Sequence, residues 1–206
     1  MVIKSKKRDS HRARLLRLVK QAGVIRPRDL HAIGVPREYL RRLRDEGVLE
    51  QPARGLYVLA GTEVTEHQSL IAVCKRVPHG VVCLLSALQF HGLTTQIPHE
   101  VWIAIGTRVW APRMDSTQIR VTRFSPTTLA FGVDRQRIGG VIVPVFNPAK
   151  TVADCFKFRN KIGLDVAIEA LRDCLSQRQA TVDELEQAAR ACRVSTVLRP
   201  YMEAMV

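Results

Sequence analysis

Apolar residues in the first sixty positions recur at helical spacing and then give way to two short runs. Leu15, Leu18, Val19 and Ala22 return every three or four residues, with Arg12, Arg14, Arg17 and Lys20 pointing elsewhere. That 3.6-residue period predicts an amphipathic helix over 10–22. Ser10 suits its N-cap and Gly23 its C-terminal stop. Val24 and Ile25 fit a short strand. A shorter helix is expected from Pro27 to Ile33, with Pro27 at an early position where a missing N–H does no harm. Gly34 then turns the chain. A third helix is expected from Pro36 to Glu46, closed by Gly47. Tyr39, Leu40 and Leu43 share one face of it, the face a core would take. Arg37, Arg41 and Arg44 share another, at i, i+4 and i+7. Glu38, Arg42 and Asp45 fill the remaining side, and Glu38 precedes Arg42 by four residues, the favourable order for an ion pair. Val48–Glu50 and Leu56–Leu59 flank the Pro/Gly turn Gln51–Gly55 and predict a β-hairpin.

Beyond residue 60 the pattern changes to alternating helices and strands. Helices are predicted over Glu66–Arg76 and Ser86–His91, the second closed by Gly92. Strands are predicted over Val81–Leu84, Val101–Ile105 and Ile119–Phe124. The run Val141–Phe146 is almost wholly apolar, which fits a central strand buried on both faces. Asn147 caps a helix from Pro148 to Phe158. Leu164, Ile168, Leu171 and Leu175 stripe the next, and Thr181-Val182-Asp183-Glu184 forms a capping box opening another. A last helix is expected after Ser195, with an interruption at Pro200. The expected class is α/β (α+β): residues 1–60 as one domain, and residues 61–206 as a larger α/β domain with a helical C-terminal tail.

Charge sharpens this division. The chain of 206 residues carries a net +13. Residues 1–60 hold 15 basic and 6 acidic side chains, and residues 61–206 hold 17 and 13, so most of the excess lies in under a third of the chain. Such a field attracts polyanions. The helices carry too little aromatic content on their apolar faces to favour a membrane surface. No apolar run approaches the length of a membrane helix, and the basic start leads into no apolar segment, so no secretory signal is read and the cytoplasm is the expected location. Cys74, Cys83, Cys155, Cys174 and Cys192 are odd in number and widely spaced, with no CxxC pair. They read as buried apolar residues in a reducing compartment.

Three helices followed by a hairpin is the order of a winged helix-turn-helix. A major groove admits one α-helix whose N-terminal side chains reach base edges. Arg37 and Arg41 are placed for that, and Arg44 for a base or a phosphate. Arg42 lies beside them. Arg54 sits at the tip of the hairpin, and Lys4, Lys6, Lys7 and Arg8 precede the first helix, suited to backbone contacts or to an arm in the minor groove. The bland alternative is that these arginines only solvate a helix, with Arg41 paired to Asp45.

The sequence carries none of the common catalytic motifs. There is no phosphate loop, no HExxH, no GxSxG, and no Asp-x-Lys or Glu-x-Lys triplet of the kind metal-dependent nucleases use. His79, His91 and His99 lack the tight spacing of a metal site. Ser86 and His91 are five residues apart on one short helix and do not face each other. Lys150 and Asp154, at i and i+4, suggest an ion pair or helix packing. The expectation is no enzyme, no metal and no cofactor.

Several segments resemble one family. Gly34-Val35-Pro36 through Leu40-Arg41-Arg42-Leu43, Gly47-Val48-Leu49 and Arg54-Gly55-Leu56-Tyr57-Val58 look like the N-terminal winged helix of AbiEi-type antitoxins. Ser86–Leu93, followed by Pro98 and a strand, and Asn147–Cys155 are similar to that family's second domain. The resemblance implies a type IV toxin–antitoxin system. The N-terminal domain would bind double-stranded DNA at the promoter of its own operon and repress it. The second domain would counteract a nucleotidyltransferase toxin encoded beside it, without needing a stable complex. Two other readings stay open: an ordinary regulator whose second domain senses a ligand or dimerises, and a nuclease with a DNA-targeting domain.

Overall fold

The computed structural model of the protein describes residues 10–53, 55–61, 68–110, 118–138 and 141–205. Lys4, Lys6, Lys7, Arg8 and Arg54 lie outside the described residues. The chain divides into two compact units, residues 1–72 with 137–141, and residues 73–136 with 142–206.

In the first unit, α1 (His11–Ala22) starts where the serine predicts: the Ser10 hydroxyl accepts the Ala13 N–H at 3.2 Å. The segment Pro27–Ile33 forms a 3-10 helix rather than an α-helix. It is stopped by Gly34 in the left-handed conformation, at φ 59°. Regular helix then runs through α2 (Glu38–Asp45). Tyr39 N–H to Pro36 carbonyl and Leu40 N–H to Arg37 carbonyl bonds lead into it, at 3.2 and 3.0 Å, so the first turn opens at Pro36 as expected but is not yet α-helical. β1 (Leu49–Ala53) and β2 (Leu56–Leu59) pair antiparallel. The first strand is longer than the pattern predicted. It passes through Pro52, and the register shifts between Glu50 and Ala53. Proline has no N–H to give a ladder, and a bulge is where a strand tolerates it. The strand expected at Val24–Ile25 reduces to one bridge, in which Ile25 and Tyr57 exchange two backbone bonds of 2.9 Å. Leu15, Val19, Ile25, Leu30, Val35, Leu40, Leu43 and Leu49 close the core of this unit.

The following elements run α3 (Gln68–Arg76), β3 (Val81–Val82), α4 (Leu84–His91), β4 (Val101–Gly106), β5 (Ile119–Phe124), α5 (Pro126–Ala130), β6 (Val133–Ile138) and β7 (Val141–Phe146). Five helices close the chain: α6 (Pro148–Lys157), α7 (Arg159–Ile162), α8 (Leu164–Ser176), α9 (Val182–Cys192) and α10 (Ser195–Glu203). The sheet order is β5-β4-β3-β7-β6. β4 lies parallel to β5 and antiparallel to β3, and β3 lies parallel to β7. β7 is internal to the sheet, but it is not enclosed on both faces. Val143 and Val145 are buried while Ile142 is 53% exposed, so an apolar run has here produced an alternating strand. β6, with its exposed Arg135, Gln136 and Arg137, carries too few apolar residues to have been read as a strand.

The interior of this unit holds an ion pair. Lys150 and Asp154 lie one turn apart on α6, both 0% exposed, with the ammonium donating to the carboxylate. The ammonium stands 4.1 Å from the Phe146 ring centre and 4.8 Å from that of Phe124. The thiol of Cys192 donates to the other carboxylate oxygen at 3.3 Å. Burial pushes the Asp154 carboxyl above its usual range, against the pull of Lys150. Gly132 makes room: at φ 64°, a Cβ there would come within 2.8 Å of the Lys150 Cβ. Asn147 caps α6, accepting the Lys150 N–H at 2.9 Å, and Thr181 and Glu184 form the predicted capping box of α9. All five cysteines are free and buried. Burial raises the thiols of Cys74 and Cys192 to about 12 and that of Cys174 to about 11, which removes their thiolate character at neutral pH.

Removing one member of a buried pair strands the other charge. Lys150→Met is therefore expected to lower unfolding free energy by about 3–5 kcal/mol. The double change Lys150→Met with Asp154→Leu should recover most of that loss, read by urea denaturation. His91 supplies a pH dependence. Its Nε2 donates to the Phe146 carbonyl at 2.7 Å, and burial lowers its affinity for a proton. The unfolded chain thus takes the proton more readily, so stability falls as pH drops below the ordinary histidine value of 6.5. Urea midpoints at pH 7.5 and 5.5 should show that fall in the wild type and a smaller one in His91→Gln.

Candidate nucleic-acid interface

The placement of α2 follows from its neighbours. Leu40 and Leu43 are 2% and 1% exposed. They turn inward with Leu15 and Val19 of α1 and Leu30 of the 3-10 helix. The 3-10 helix is tied to α1 by the Arg14 guanidinium, which donates to the Ile33 carbonyl at 2.9 Å. Its first turn is closed by the Asp29 carboxylate, which accepts the Arg26 N–H at 2.8 Å. With one face of α2 committed to this core, its other face has no course but solvent.

All four arginines of α2 and its approach are exposed: Arg37, Arg41, Arg42 and Arg44. The structure brings them onto the outer surface of one short helix, as the spacing predicted. It also shows what the spacing did not: acids are interleaved among them. Asp45 lies 3.6 Å from Arg41 and 2.9 Å from Arg44. Arg44 reaches on to the Gln51 side-chain oxygen of β1 at 3.3 Å. Arg42 donates to Glu46 at 3.0 Å rather than to Glu38, the partner the sequence order suggested. The C-terminal end of α2 is closed by neighbours from α1: Arg12 also donates to Glu46. These two guanidiniums hold the Glu46 carboxyl below its usual range. Arg37 has no ion-pair partner among the described residues.

Exposed pairs of this kind contribute little net stability. They orient the guanidiniums without binding them tightly. A planar guanidinium held this way presents a fork that fits a carboxylate, a phosphate or the guanine edge equally well. Arg12 is the functional candidate that helical periodicity passed over. Its wheel position marks it only as outward-facing, and its meeting with α2 across 34 residues leaves no local signal.

The other titratable candidates are occupied structurally. The Ser86 hydroxyl accepts the Trp102 N–H at 3.0 Å and donates to the Glu100 carbonyl at 3.4 Å. His91 is bonded to Phe146, and His79 and His99 are exposed. Among the described residues, no group of three or more His, Cys, Asp or Glu is arranged to hold a metal ion. No helix among them is long and apolar enough to cross a membrane.

No curated protein sequence matches this chain. In fold, it is similar to the RV2827C protein from Mycobacterium tuberculosis, whose crystal structure superposes with a TM-score of 0.62 over 93% of this chain and 77% of that one, at 16% identity. At that identity the likeness is one of fold alone. Residues 13–60, the stretch that holds most of α1, all of α2 and the hairpin strands, match the family model described as transcriptional regulator, AbiEi antitoxin. The family resemblance read from the sequence is thus met by a family-model match in the N-terminal segment.

Proposed function

We propose that the protein is a DNA-binding antitoxin and autorepressor, active in the cytoplasm. In this reading residues 1–60 act as a winged helix-turn-helix on the promoter of the protein's own operon, and residues 61–206 counteract a nucleotidyltransferase toxin encoded beside it. The single observation that carries the DNA half is the outer face of α2, where four arginines are exposed on a helix whose other face is locked in the core.

The mechanism follows from that face. The N-terminal part of α2 enters the major groove, where Arg37 and Arg41 offer forks to guanine O6 and N7. Arg44 serves a base or a phosphate, and Arg42 sits on the flank. Arg54, at the hairpin turn, rides on the neighbouring backbone. Lys6, Lys7 and Arg8 supply further backbone contacts or an arm in the minor groove. The exposed pairs with Asp45 and Glu46 are weak enough to exchange for stronger charge-assisted bonds to DNA. No step requires catalysis or a cofactor. The antitoxin half rests on the description of the family matched by residues 13–60, and opposing the toxin would not need a stable complex.

Mobility-shift titration on the upstream DNA of the gene tests the first half. Arg41→Ala is expected to cost about 1–3 kcal/mol on the promoter and to relax base preference, while Arg54→Ala weakens all duplexes alike. Unchanged binding in both Arg37→Ala and Arg41→Ala would remove α2 as the reading helix. Growth of cells expressing the neighbouring nucleotidyltransferase tests the second half. Co-expression of the full chain should restore growth, and Arg41→Ala, placed far from the proposed antitoxin segment in sequence, should still restore it when expressed from an unrelated promoter.

A further inference from the structure

A cleft of about 240 Å³ opens between the start of α1 and one flank of α2, lined by Ser10, His11, Arg12, Tyr39, Arg42 and Leu43. The His11 ring stands edge-on to Tyr39, with centres 5.2 Å apart and an interplanar angle of 78°. Arg12 and Arg42 approach from two helices, with side chains 48% and 69% exposed, and both donate to the single carboxylate of Glu46. Two cations therefore share one anion, and among the described residues no carboxylate is part of the cleft's own lining.

We propose that this cleft seats a backbone phosphate of the duplex, and that Glu46 is its internal stand-in. In the free protein Glu46 gathers Arg12 and Arg42 into one fork. On DNA a phosphate takes its place. The proposal rests on the reading of α2 as the helix that enters the groove, and it adds a contact and a regulatory residue to that reading.

The position supports a phosphate rather than a base. Arg44, on one flank of α2, leans toward the hairpin through Gln51. Arg42, on the other, faces α1. A helix in the major groove has a sugar–phosphate strand along each of its sides. The hairpin serves one strand, and the cleft is left for the other. The chemistry matches too. A phosphodiester carries one negative charge and presents paired oxygens, as a carboxylate does, and arginine forks accept both. The exchange takes place in solvent-exposed surroundings, where the existing pairs hold weakly. Glu46 then has a consequence for specificity. By opposing phosphate at this seat on every sequence, it lowers binding to unrelated DNA and leaves more of the discrimination to base contacts.

The test uses the full-length protein and fluorescence anisotropy on the promoter duplex and on an unrelated duplex, across a series of KCl concentrations. Glu46→Gln should bind both duplexes severalfold more tightly at low salt, with a salt dependence steeper by about one counterion. Arg12→Gln keeps a donor for Glu46 and loses the charge. It should bind both more weakly, with a dependence shallower by about one. Phosphate-ethylation interference should show one phosphate that matters to the wild type and no longer matters to Arg12→Gln. If Glu46→Gln binds no better than the wild type, or if the ethylation pattern of Arg12→Gln equals that of the wild type, the phosphate seat is overturned and Glu46 merely ties α1 to α2. Arg41→Ala, run alongside, separates the two levels. Loss of promoter preference there with no effect at Glu46 or Arg12 sinks the cleft alone. Retained preference in Arg41→Ala and Arg37→Ala sinks the groove reading itself.

Discussion

The burial of Leu40 and Leu43 is the constraint on which the N-terminal unit turns. α2 has eight residues, too few to persist as an isolated helix in water. It exists because its apolar stripe completes a core already walled by α1, the 3-10 helix and the hairpin. The same packing settles the helix's rotation about its own axis. Once Leu40 and Leu43 point inward, Arg41 and Arg42 have to point out, and Arg37 and Arg44 follow on either side. The exposed cationic surface is thus a by-product of hydrophobic closure on the opposite one.

The exposed face is ordered rather than merely positive. Much of the basic excess of residues 1–60 lies away from α2, where Glu38, Asp45 and Glu46 nearly balance four arginines. Long-range attraction to a polyanion comes from the whole segment. The helix itself contributes a set of guanidiniums pre-oriented by neighbouring carboxylates: Arg41 and Arg44 by Asp45, Arg42 and Arg12 by Glu46. Pre-orientation reduces the side-chain entropy lost on contact, while the like charge of the acids opposes indiscriminate binding. Under the DNA-binding role proposed above, a protein that must choose one site among many would gain from both.

The second unit solves a different problem. Its charged pair is sealed among Phe124, Phe146 and Cys192, and neither member reaches solvent. Such a pair contributes little net stability, yet each partner is indispensable to the other. It shows what separates a reactive constellation from a structural one. Lys150, Asp154 and the nearby cysteines have the composition of a catalytic centre, but burial leaves the thiols protonated and admits no substrate.

Features that depend on a few consecutive residues were legible in the sequence. Ser10, Asn147 and the Thr181–Glu184 box announced three helix starts, because a cap is satisfied by a backbone group only two or three residues away. Gly34 and Gly92 marked stops, because a left-handed residue is needed there. The 3.6-residue period of α1 and α2 sorted the arginines from the core, because one face of a short helix must be buried. What lay between distant segments was not legible. The sequence alone suggested Glu38 for Arg42, and the fold supplied Glu46 with Arg12 as a second claimant. It made Val141–Phe146 look enclosed, and the sheet left Ile142 open. It offered Lys150 and Asp154 as neighbours on a helix, and only the packing of α6 among α4, α8 and α9 took them out of water. Local hydrogen bonds are written in adjacent residues, whereas burial and charge pairing are settled by which surfaces meet.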